Sequence, residues 1–469
     1  MKKAVFLLII LNLGMSSAWS QDMVLTLEQS VQIALEKNPE IRMSEKEVKK
    51  ASAGIWEAYT AILPTVDASV NLSQAWSIQE NTIPNFMKSM LTPEPGVLPP
   101  EVEAIFSEYT TAMPDYVKLS FALKNTLMYG ATLNQPLFLG GAGIAGIQMA
   151  YSARNSAKYD LESRRQNMIY QTTNAFYSCL LARELVQVQE EALKQAEANM
   201  DIVHKKYEVG SASGFEKMRA EVEVANLKPE VIAARNNYQA ALTGLRTILG
   251  LPKDNKIDVE GSLSFEADDM SSMTLEDLQA KALSTRPEIF NLQAQKSMAD
   301  KNVCLAVSEF MPKLFFSADY SYLAMKNDLV FSRHDFSKGF TGALSLQIPL
   351  FHGFRSHKQV QRAKLDVKIV QDSEQLMRDG IAAEAEIAYN KFRESREKYQ
   401  ASRESIDLAE EALRLANLMY EEGASTQLDV LGSQLALTQA RLNHASALYE
   451  YQMSRYELRR VTGTLHGVF

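Results

Sequence analysis

Four segments of the chain alternate between apolar and polar residues with a period of two. They are residues 65–72, 119–129, 314–322 and 340–348. A period of two is typical of a β-strand that has one apolar and one polar face. The sequence therefore predicts two pairs of strands, and each pair ends at a proline, Pro136 or Pro349.

A long stretch without proline follows each strand pair. Residues 143–209 and 354–422 predict two helices of about 68 residues, each roughly 100 Å long at 1.5 Å per residue. A glycine turn at Gly210 or Gly423 then leads into a return helix of about 35 residues, which has room to fold back along half of the long helix.

The long helices carry a seam of apolar residues. From Tyr399 to Tyr420 the seam steps by 7, 3, 4, 3 and 4 residues, and from Val186 to Tyr207 it steps identically. This spacing is typical of a coiled coil, so we expect each long helix to pack against other helices. A shorter helix opens each half of the chain, at residues 28–62 and 276–310.

The same order of elements occurs twice. Thr26-Leu27-Glu28 recurs as Thr274-Leu275-Glu276 at an offset of 248 residues, and Pro136-Leu137-Phe138 recurs as Pro349-Leu350-Phe351 at an offset of 213. Because the offset falls by 35, the first copy contains an insertion of 35 residues. We place it in the proline-rich stretch at residues 83–100 and predict that it forms a loop.

Composition and charge narrow the class of protein. The chain has 469 residues, of which 46% are hydrophobic and 23% charged, as in ordinary folded proteins. A net charge of −8 argues against nucleic-acid binding, and two cysteines are too few for a disulfide scaffold or a four-thiolate zinc site. Residues 1–20 predict a secretory signal peptide, with Lys2 and Lys3 before an apolar run and Ala18-Trp19-Ser20 as the cleavage motif.

Four strands with one apolar face cannot close a barrel by themselves, because the smallest membrane barrels use about eight. An open sheet edge in lipid leaves backbone groups without partners. If these strands span a membrane, several chains must therefore share one barrel, either two chains with eight strands or three with twelve. The alternative is a periplasmic structural coiled coil that carries a small soluble β-sheet.

The chain resembles the TolC-like outer-membrane efflux protein family. The resemblance is carried by the doubled plan, by the Pro-Leu-Phe-x-Gly elements at 136–140 and 349–353, and by the second helical tip, Tyr420-Glu-Glu-Gly-Ala-Ser-Thr-Gln-Leu-Asp-Val-Leu431. It implies a mainly α-helical fold with a transmembrane β-barrel, in which three chains each give four strands to the barrel and long helices to a periplasmic tunnel. The insertion would then be an extracellular loop.

This resemblance implies a division of the chain and a set of partners. The expected parts are a signal peptide (1–20), a first repeat (21–249), an equatorial connector (250–272) and a second repeat (273–469). The expected function is a passive exit duct in the outer membrane of a Gram-negative cell, within a tripartite efflux or secretion system. Its partners would be two further copies, a periplasmic adaptor, an inner-membrane pump of the RND or ABC type, and outer-membrane lipid.

Two acidic residues at the tips are candidates for a gate. Glu216 and Asp429 are twins at the offset of 213 and lie in the first turn of the return helices, where the helix dipole favours a carboxylate. In a trimer, three copies of Asp429 would also form an acidic ring that selects cations. The resemblance implies this ring, and it implies a clamp that uses Tyr420 and Glu216. Ser425 and Gly432 stand where the family has an arginine and a second acid, so neither a charged clamp nor a second ring is expected.

The same tips would dock the adaptor, and the candidate contacts there are Tyr207, Gly210, Phe215, Gly423 and Leu428.

Enzymatic or metal chemistry is not expected. Gly141-Ala-Gly143-Ile-Ala-Gly146 fits a dinucleotide motif, but a helix is predicted where the second strand of that motif would return, so an enzyme with a nucleotide site ranks last. We expect no catalytic residue, cofactor or metal site, and we predict that Cys179 and Cys304 are unpaired.

Overall fold

The computed structural model describes residues 23–78, 80–120, 123–266 and 269–465. The predicted signal peptide lies outside these residues. The described part of the chain divides into two compact units, one made of the residues up to Ile55 with Gln148–Lys301 and those from Arg362 onward, the other of Trp56–Ile147 and Asn302–Gln361. The first unit is mainly helical and the second contains the strands predicted from the period of two.

Within the described residues the structure has ten α-helices and eight strands. The helices are α1 (Leu27–Lys37), α2 (Pro39–Thr60), α3 (Phe86–Leu91), α4 (Pro100–Thr111), α5 (Ala142–Glu208), α6 (Gly214–Ile248), α7 (Leu275–Thr285), α8 (Pro287–Ser308), α9 (Arg355–Glu421) and α10 (Gln427–Val461). The strands are β1 (Met23–Leu25), β2 (Thr65–Gln74), β3 (Asn81–Pro84), β4 (Tyr116–Leu119), β5 (Asn125–Phe138), β6 (Ile257–Val259), β7 (Lys313–Lys326) and β8 (Ser337–Gln347).

The two long helices are confirmed. Helices α5 and α9 have 67 residues each, and the return helices α6 and α10 have 35 residues each. Among the helices of the described residues, none is both long and apolar enough to cross a membrane. The long helices are instead amphipathic, with small and apolar residues buried at the coiled-coil spacing, such as Ala196, Val203, Leu413 and Ala416.

The opening helix of each half is broken, and the prediction of one continuous helix there is wrong. Asn38 separates α1 from α2, and Arg286 separates α7 from α8; both have extended backbone, with ψ of 129°. Each of these residues precedes a proline, Pro39 or Pro287, whose ring excludes the helical conformation from the residue before it. The proline itself then begins the next helix, a position it favours.

Four strands form one antiparallel sheet in the order β2-β5-β7-β8. The register places Val70 opposite Tyr129 and Tyr129 opposite Tyr322, so that the apolar positions of all four strands share one face. The other face is mainly polar, and on it the Thr132 hydroxyl donates a hydrogen bond to Asp319 at 2.9 Å. The prediction of four strands with one apolar and one polar face is therefore confirmed.

The second predicted strand does not begin where we expected. Leu119 ends β4, which pairs with β3 in a separate two-stranded ribbon, and the sheet strand β5 begins only at Asn125. Phe121, which we included in the strand, lies outside the described residues. An alternating pattern identifies extended backbone but not the strand that it pairs with, so residues of two different sheets gave one continuous pattern.

The 35-residue insertion is folded, and the prediction of a loop is wrong. Between β3 and β4 the chain forms α3 and α4, and Pro100 is the first residue of α4 rather than a helix breaker. The Lys88 amine of α3 donates to the Met113 carbonyl at 3.0 Å and pairs with Asp115 at 2.7 Å, which holds the insertion together.

The connector between the repeats packs against the helical unit. Strand β6 pairs in parallel with β1, and Arg183 of α5 donates hydrogen bonds to the carbonyls of Val259 and Gly261. Cys179 is buried beneath this segment, and burial raises the pKa of its thiol to about 12. Cys179 and Cys304 are both free thiols, as predicted.

Candidate functional site at the helical tips

Both tips are closed by a glycine turn. Helix α5 ends at Glu208, and Gly210 follows with φ of 79°; α9 ends at Glu421, and Gly423 follows with φ of 76°. Residues with a Cβ rarely adopt this left-handed conformation, so the glycines let each chain reverse direction within a few residues. The predicted glycine turns at Gly210 and Gly423 are confirmed, whereas the role of these residues in docking stays a prediction.

The two acidic gate candidates complete capping boxes at the starts of the return helices. The Glu216 carboxylate accepts a hydrogen bond from the Ser213 backbone N–H at 2.6 Å. The Asp429 Oδ2 accepts bonds from the Thr426 N–H at 2.8 Å and from the Thr426 hydroxyl at 2.7 Å. The Thr426 hydrogen bonds hold the pKa of Asp429 below its ordinary value, so this exposed side chain is a carboxylate at neutral pH.

A small apolar cluster joins the two tips. It contains one residue from each of four helices together with a second residue of α9: Val203, Ala220, Ala416, Tyr420 and Val430. Tyr420 is only 8% exposed, and burial followed by the nearby charge of Glu216 raises the pKa of its phenol. The structure thus brings Tyr420 and Glu216 to the same site, although the Glu216 carboxylate bonds to its own helix start.

Two polar contacts that the sequence did not reveal also join the tips. The Lys206 amine of α5 donates to the Tyr420 carbonyl at 2.8 Å and lies 3.9 Å from the centre of the Tyr420 ring. The Gln427 amide of α10 donates to the Glu216 carbonyl at 3.0 Å, and the Gln427 side chain is fully buried. We call these two contacts the tip latch.

In the tip latch, Lys206 supplies a cation at the tip. The chain lacks the arginine that the family has at the position of Ser425. A lysine above an aromatic face is attracted by the negative electrostatic potential of that face, and its hydrogen bond to a carbonyl adds to that attraction. The only signal in the sequence was a basic residue in the last turn of α5, which also suits the helix dipole and therefore could not be assigned to Tyr420.

The remaining tip candidates are exposed. Tyr207 is 45% exposed, Phe215 66% and Leu428 61%. Basic side chains lie beside two of the rings, since Lys217 is 5.3 Å from the centre of the Tyr207 ring and the Arg219 guanidinium is 4.9 Å from that of Phe215. Such a mixture of exposed aromatic and basic groups is typical of protein-binding surfaces.

The glycine motif at the start of α5 belongs to a strand-to-helix junction. Gly140 and Gly141 have φ of 63° and 90°, and a Cβ placed on Gly143 would lie 2.4 Å from the Ile62 side chain. The glycines are therefore explained by turn geometry and close packing. Within the described ranges, no group of histidine, cysteine and acidic residues is arranged to hold a metal ion.

The matches to known proteins agree with this architecture. The family model described as "Outer membrane efflux protein" matches residues 30–251 and 278–464. The cobalt-zinc-cadmium resistance protein CzcC of Cupriavidus metallidurans is 24% identical over 88% of this chain and 91% of its own length. The outer membrane protein TolC of Vibrio cholerae is 22% identical over 72% of this chain and 77% of its own length.

Solved structures show the same fold. The crystal structure of the CmeC outer membrane channel of Campylobacter jejuni superposes with a TM-score of 0.74 at 18% identity, covering 94% of this chain and 86% of that channel. The fold predicted from the doubled pattern of strands and long helices is thereby confirmed. With a family match over most of its length, the chain belongs to the outer membrane efflux protein family and is an exit duct of the outer membrane rather than an enzyme.

Proposed function

We propose that three copies of this chain form one passive export duct, in which the sheets close a twelve-stranded barrel and the long helices enclose a tunnel. The observation that carries the proposal is the sheet itself. Its edge strands β2 and β8 have no further strand beside them in the described part of the chain, and their apolar side chains are exposed, with Val70 and Phe340 both at 74%.

Exposed apolar side chains on both edge strands suit a lipid environment, but the unpaired backbone groups at the edges of these strands do not. An unpaired backbone group in lipid costs several kcal/mol, so the β2 edge of one chain must pair with the β8 edge of another. Four strands from each chain make eight strands in a dimer and twelve in a trimer. The family resemblance implies three chains, which favours twelve strands.

The duct performs no chemistry of its own. A periplasmic adaptor and an inner-membrane pump supply energy and cargo, and the adaptor docks on the exposed tip residues Tyr207, Phe215 and Leu428. In the resting state the tip latch holds the second hairpin against the first. Three Asp429 carboxylates then surround the tunnel mouth and attract cations.

Cross-linking between edge strands tests the assembly. In a background without native cysteines (Cys179→Ala, Cys304→Ser), Ser69→Cys on β2 is combined in turn with cysteines at 339, 341, 343 and 345 on β8. We expect covalent species that stop at three chains on a denaturing gel, and discrete conductance steps in planar bilayers. Ser69→Cys alone is the matched control.

Two results contradict the proposal. A cross-linking ladder that stops at two chains, or that is absent for every β8 partner, excludes the trimeric barrel. A monodisperse monomer without detergent and without conductance favours the alternative, a periplasmic coiled coil with a soluble sheet.

A further inference from the structure

The strand-to-helix junction of the second repeat contains a small polar cavity. Its volume is about 150 Å³, and it lies where β7 begins, β8 ends and α9 begins. Lys313 and Arg355 line it together with His352, Gln347 and Ser356, opposite the single carboxylate of Glu309. Two basic side chains, Lys313 and Arg355, face one carboxylate, so the cavity has an excess of positive charge before His352 is counted.

Lys313 is held in place by an ion pair and still has donors available. The Lys313 amine bonds to Glu309 at 3.0 Å, and its side chain is only 25% exposed. An ammonium group has three donors, so two remain for a further acceptor. Ser356 is 6% exposed and lines the same cavity, so it adds a hydroxyl group to the cavity wall.

The first repeat has the same junction without these features. At the offsets of 248 and 213, Lys313 corresponds to Thr65, Arg355 to Ala142 and Ser356 to Gly143. There the space is filled, because a Cβ on Gly143 would meet the Ile62 side chain at 2.4 Å. The backbone plan therefore does not require a charged cavity, and its presence in one repeat alone calls for a specific explanation.

An exposed aromatic residue beside the cavity is held in an unfavourable conformation. Phe354 has φ of 64°, whereas its twin in the first repeat is Gly141. A non-glycine residue in this region has a strained backbone, so contacts of its side chain must offset that strain. Phe354 is 67% exposed and packs edge-on against Phe351, which is 71% exposed.

We propose that this cavity binds the phosphate of an anionic phospholipid, with the acyl chains lying along Phe351, Phe354 and the exposed apolar face of β8. Cations and aromatic rings side by side at the end of a membrane-spanning element match the headgroup level of a bilayer. Arginine and lysine bind phosphate through charge-assisted hydrogen bonds. The inference rests on the outer-membrane position of the sheet and on no feature of the tips.

Lipid binding to the full-length protein in detergent tests the site. The probes are dioleoylphosphatidylglycerol, dioleoylphosphatidylcholine and inorganic phosphate, and bound lipid is counted by native mass spectrometry. We expect the wild type to bind phosphatidylglycerol at least about tenfold more tightly than phosphatidylcholine. The Lys313→Gln/Arg355→Gln variant should lose this preference. The control Lys338→Gln/Lys364→Gln removes the same charge from exposed positions outside the cavity and should keep it.

A second variant makes the test independent of charge removal at Lys313. His352→Leu/Arg355→Ala copies Leu139 and Ala142 of the first repeat, a combination that the fold already accepts, and it should also lose the preference. Equal binding of both lipids by the wild type, or an unchanged preference in both cavity variants, overturns the proposal. Displacement of the lipid by inorganic phosphate at equal concentration would assign the cavity to free phosphate instead. Unaltered channel conductance in these variants separates loss of the lipid site from failure of the duct.

Discussion

The two repeats share one backbone plan but stabilise the same helix break by different chemistry. In the first repeat the break at Asn38 is held by a neutral amide, whose Nδ2 donates to the Ile248 carbonyl at 2.8 Å while its Oδ1 accepts from the Glu40 N–H at 2.7 Å. In the second repeat the twin residue is Arg286, which forms ion pairs with Glu288 at 3.2 Å and with Glu384.

The charged break is part of a larger network. Arg460 of α10 pairs with Glu384 at 2.6 Å and with Glu457 at 2.6 Å, and Glu288 also accepts a hydrogen bond from Ser163 of α5. The network therefore ties four helices together, whereas Asn38 ties the break only to the end of α6. The backbone therefore requires an extended residue before each proline, but not a particular side chain there.

Removing each twin side chain should give the largest contrast. Arg286 is 7% exposed, and Arg286→Ala leaves Glu288 and Glu384 without their shared partner, so we expect a loss of about 3 kcal/mol in the free energy of unfolding. Asn38→Ala leaves the Ile248 carbonyl unpaired and should cost about 1 kcal/mol. Urea unfolding followed by helical circular dichroism measures both values.

A compensated variant separates charge from packing. In Arg286→Met/Glu288→Gln/Glu384→Gln the three charges at this break are removed together, and stability should return close to that of the wild type. Equal losses for Arg286→Ala and Asn38→Ala would contradict the contrast between the two breaks.

The charged break should also make only one repeat sensitive to acid. Burial alone would raise the pKa of Glu384, but the hydrogen bonds and charges of Arg286 and Arg460 lower it below the ordinary 4.5, and Glu288 is lowered in the same way by Arg286 and Ser163. Groups with a lowered folded-state pKa stabilise fully above their unfolded-state value, and the contribution is lost as the pH falls through the lowered value.

We therefore expect the wild type to lose stability below about pH 4.5, relative to Arg286→Met/Glu288→Gln/Glu384→Gln. Thermal unfolding at pH 7 and at successively lower pH measures the difference. The substitution Asn38→Ala should not change the slope with pH, because no titratable group takes part in that cap. A parallel pH dependence of the wild type and the compensated variant would contradict the assignment.

The sequence predicted the repeated elements well and their interruptions poorly. Periods of two and of seven residues depend only on which face is buried, so the four strands and the 67-residue helices were predictable. The position of a proline did not predict where a helix begins or ends by any single rule. Pro39 and Pro100 each begin a helix, whereas Pro229 lies inside α6. Which of these occurs depends on tertiary hydrogen bonds, such as that of Asn38, which a local pattern does not contain.

The tip shows the same limit for the candidate site. The positions of Glu216 and Asp429 followed from the repeat, and their capping partners lie three residues away in the chain. The contact between Lys206 and Tyr420 joins residues 214 positions apart and depends on the register of two long helices. No local signal reports that register, so the tip latch became visible only in the folded chain.

The tip latch is a second difference between the repeats, and we expect a smaller effect when it is removed. The residue at the twin position of Lys206 is Met419, so Lys206→Met makes the first tip like the second. The variant removes a cation–π contact of about 1 kcal/mol together with one charge-assisted hydrogen bond, and we expect the open probability in planar bilayers to rise about tenfold. The control Lys205→Met changes an exposed neighbour and should leave gating unchanged. An unchanged open probability in Lys206→Met would remove the latch from the gate.

The smallest expected effect distinguishes the two capping acids. If Asp429 lines the tunnel mouth, Asp429→Asn should weaken block of the current by divalent cations about threefold, because the ring loses three charges that water partly screens. Thr426→Ala is the decisive control, since it removes the hydroxyl that bonds to Asp429 but keeps the carboxylate and its bond from the backbone N–H, so it should destabilise the start of α10 without changing the block. Glu216→Gln tests the first tip in the same way. Equal effects of Asp429→Asn and Thr426→Ala would mean that Asp429 acts only as a helix cap, and a larger effect of Glu216→Gln would move the acidic ring to the first repeat.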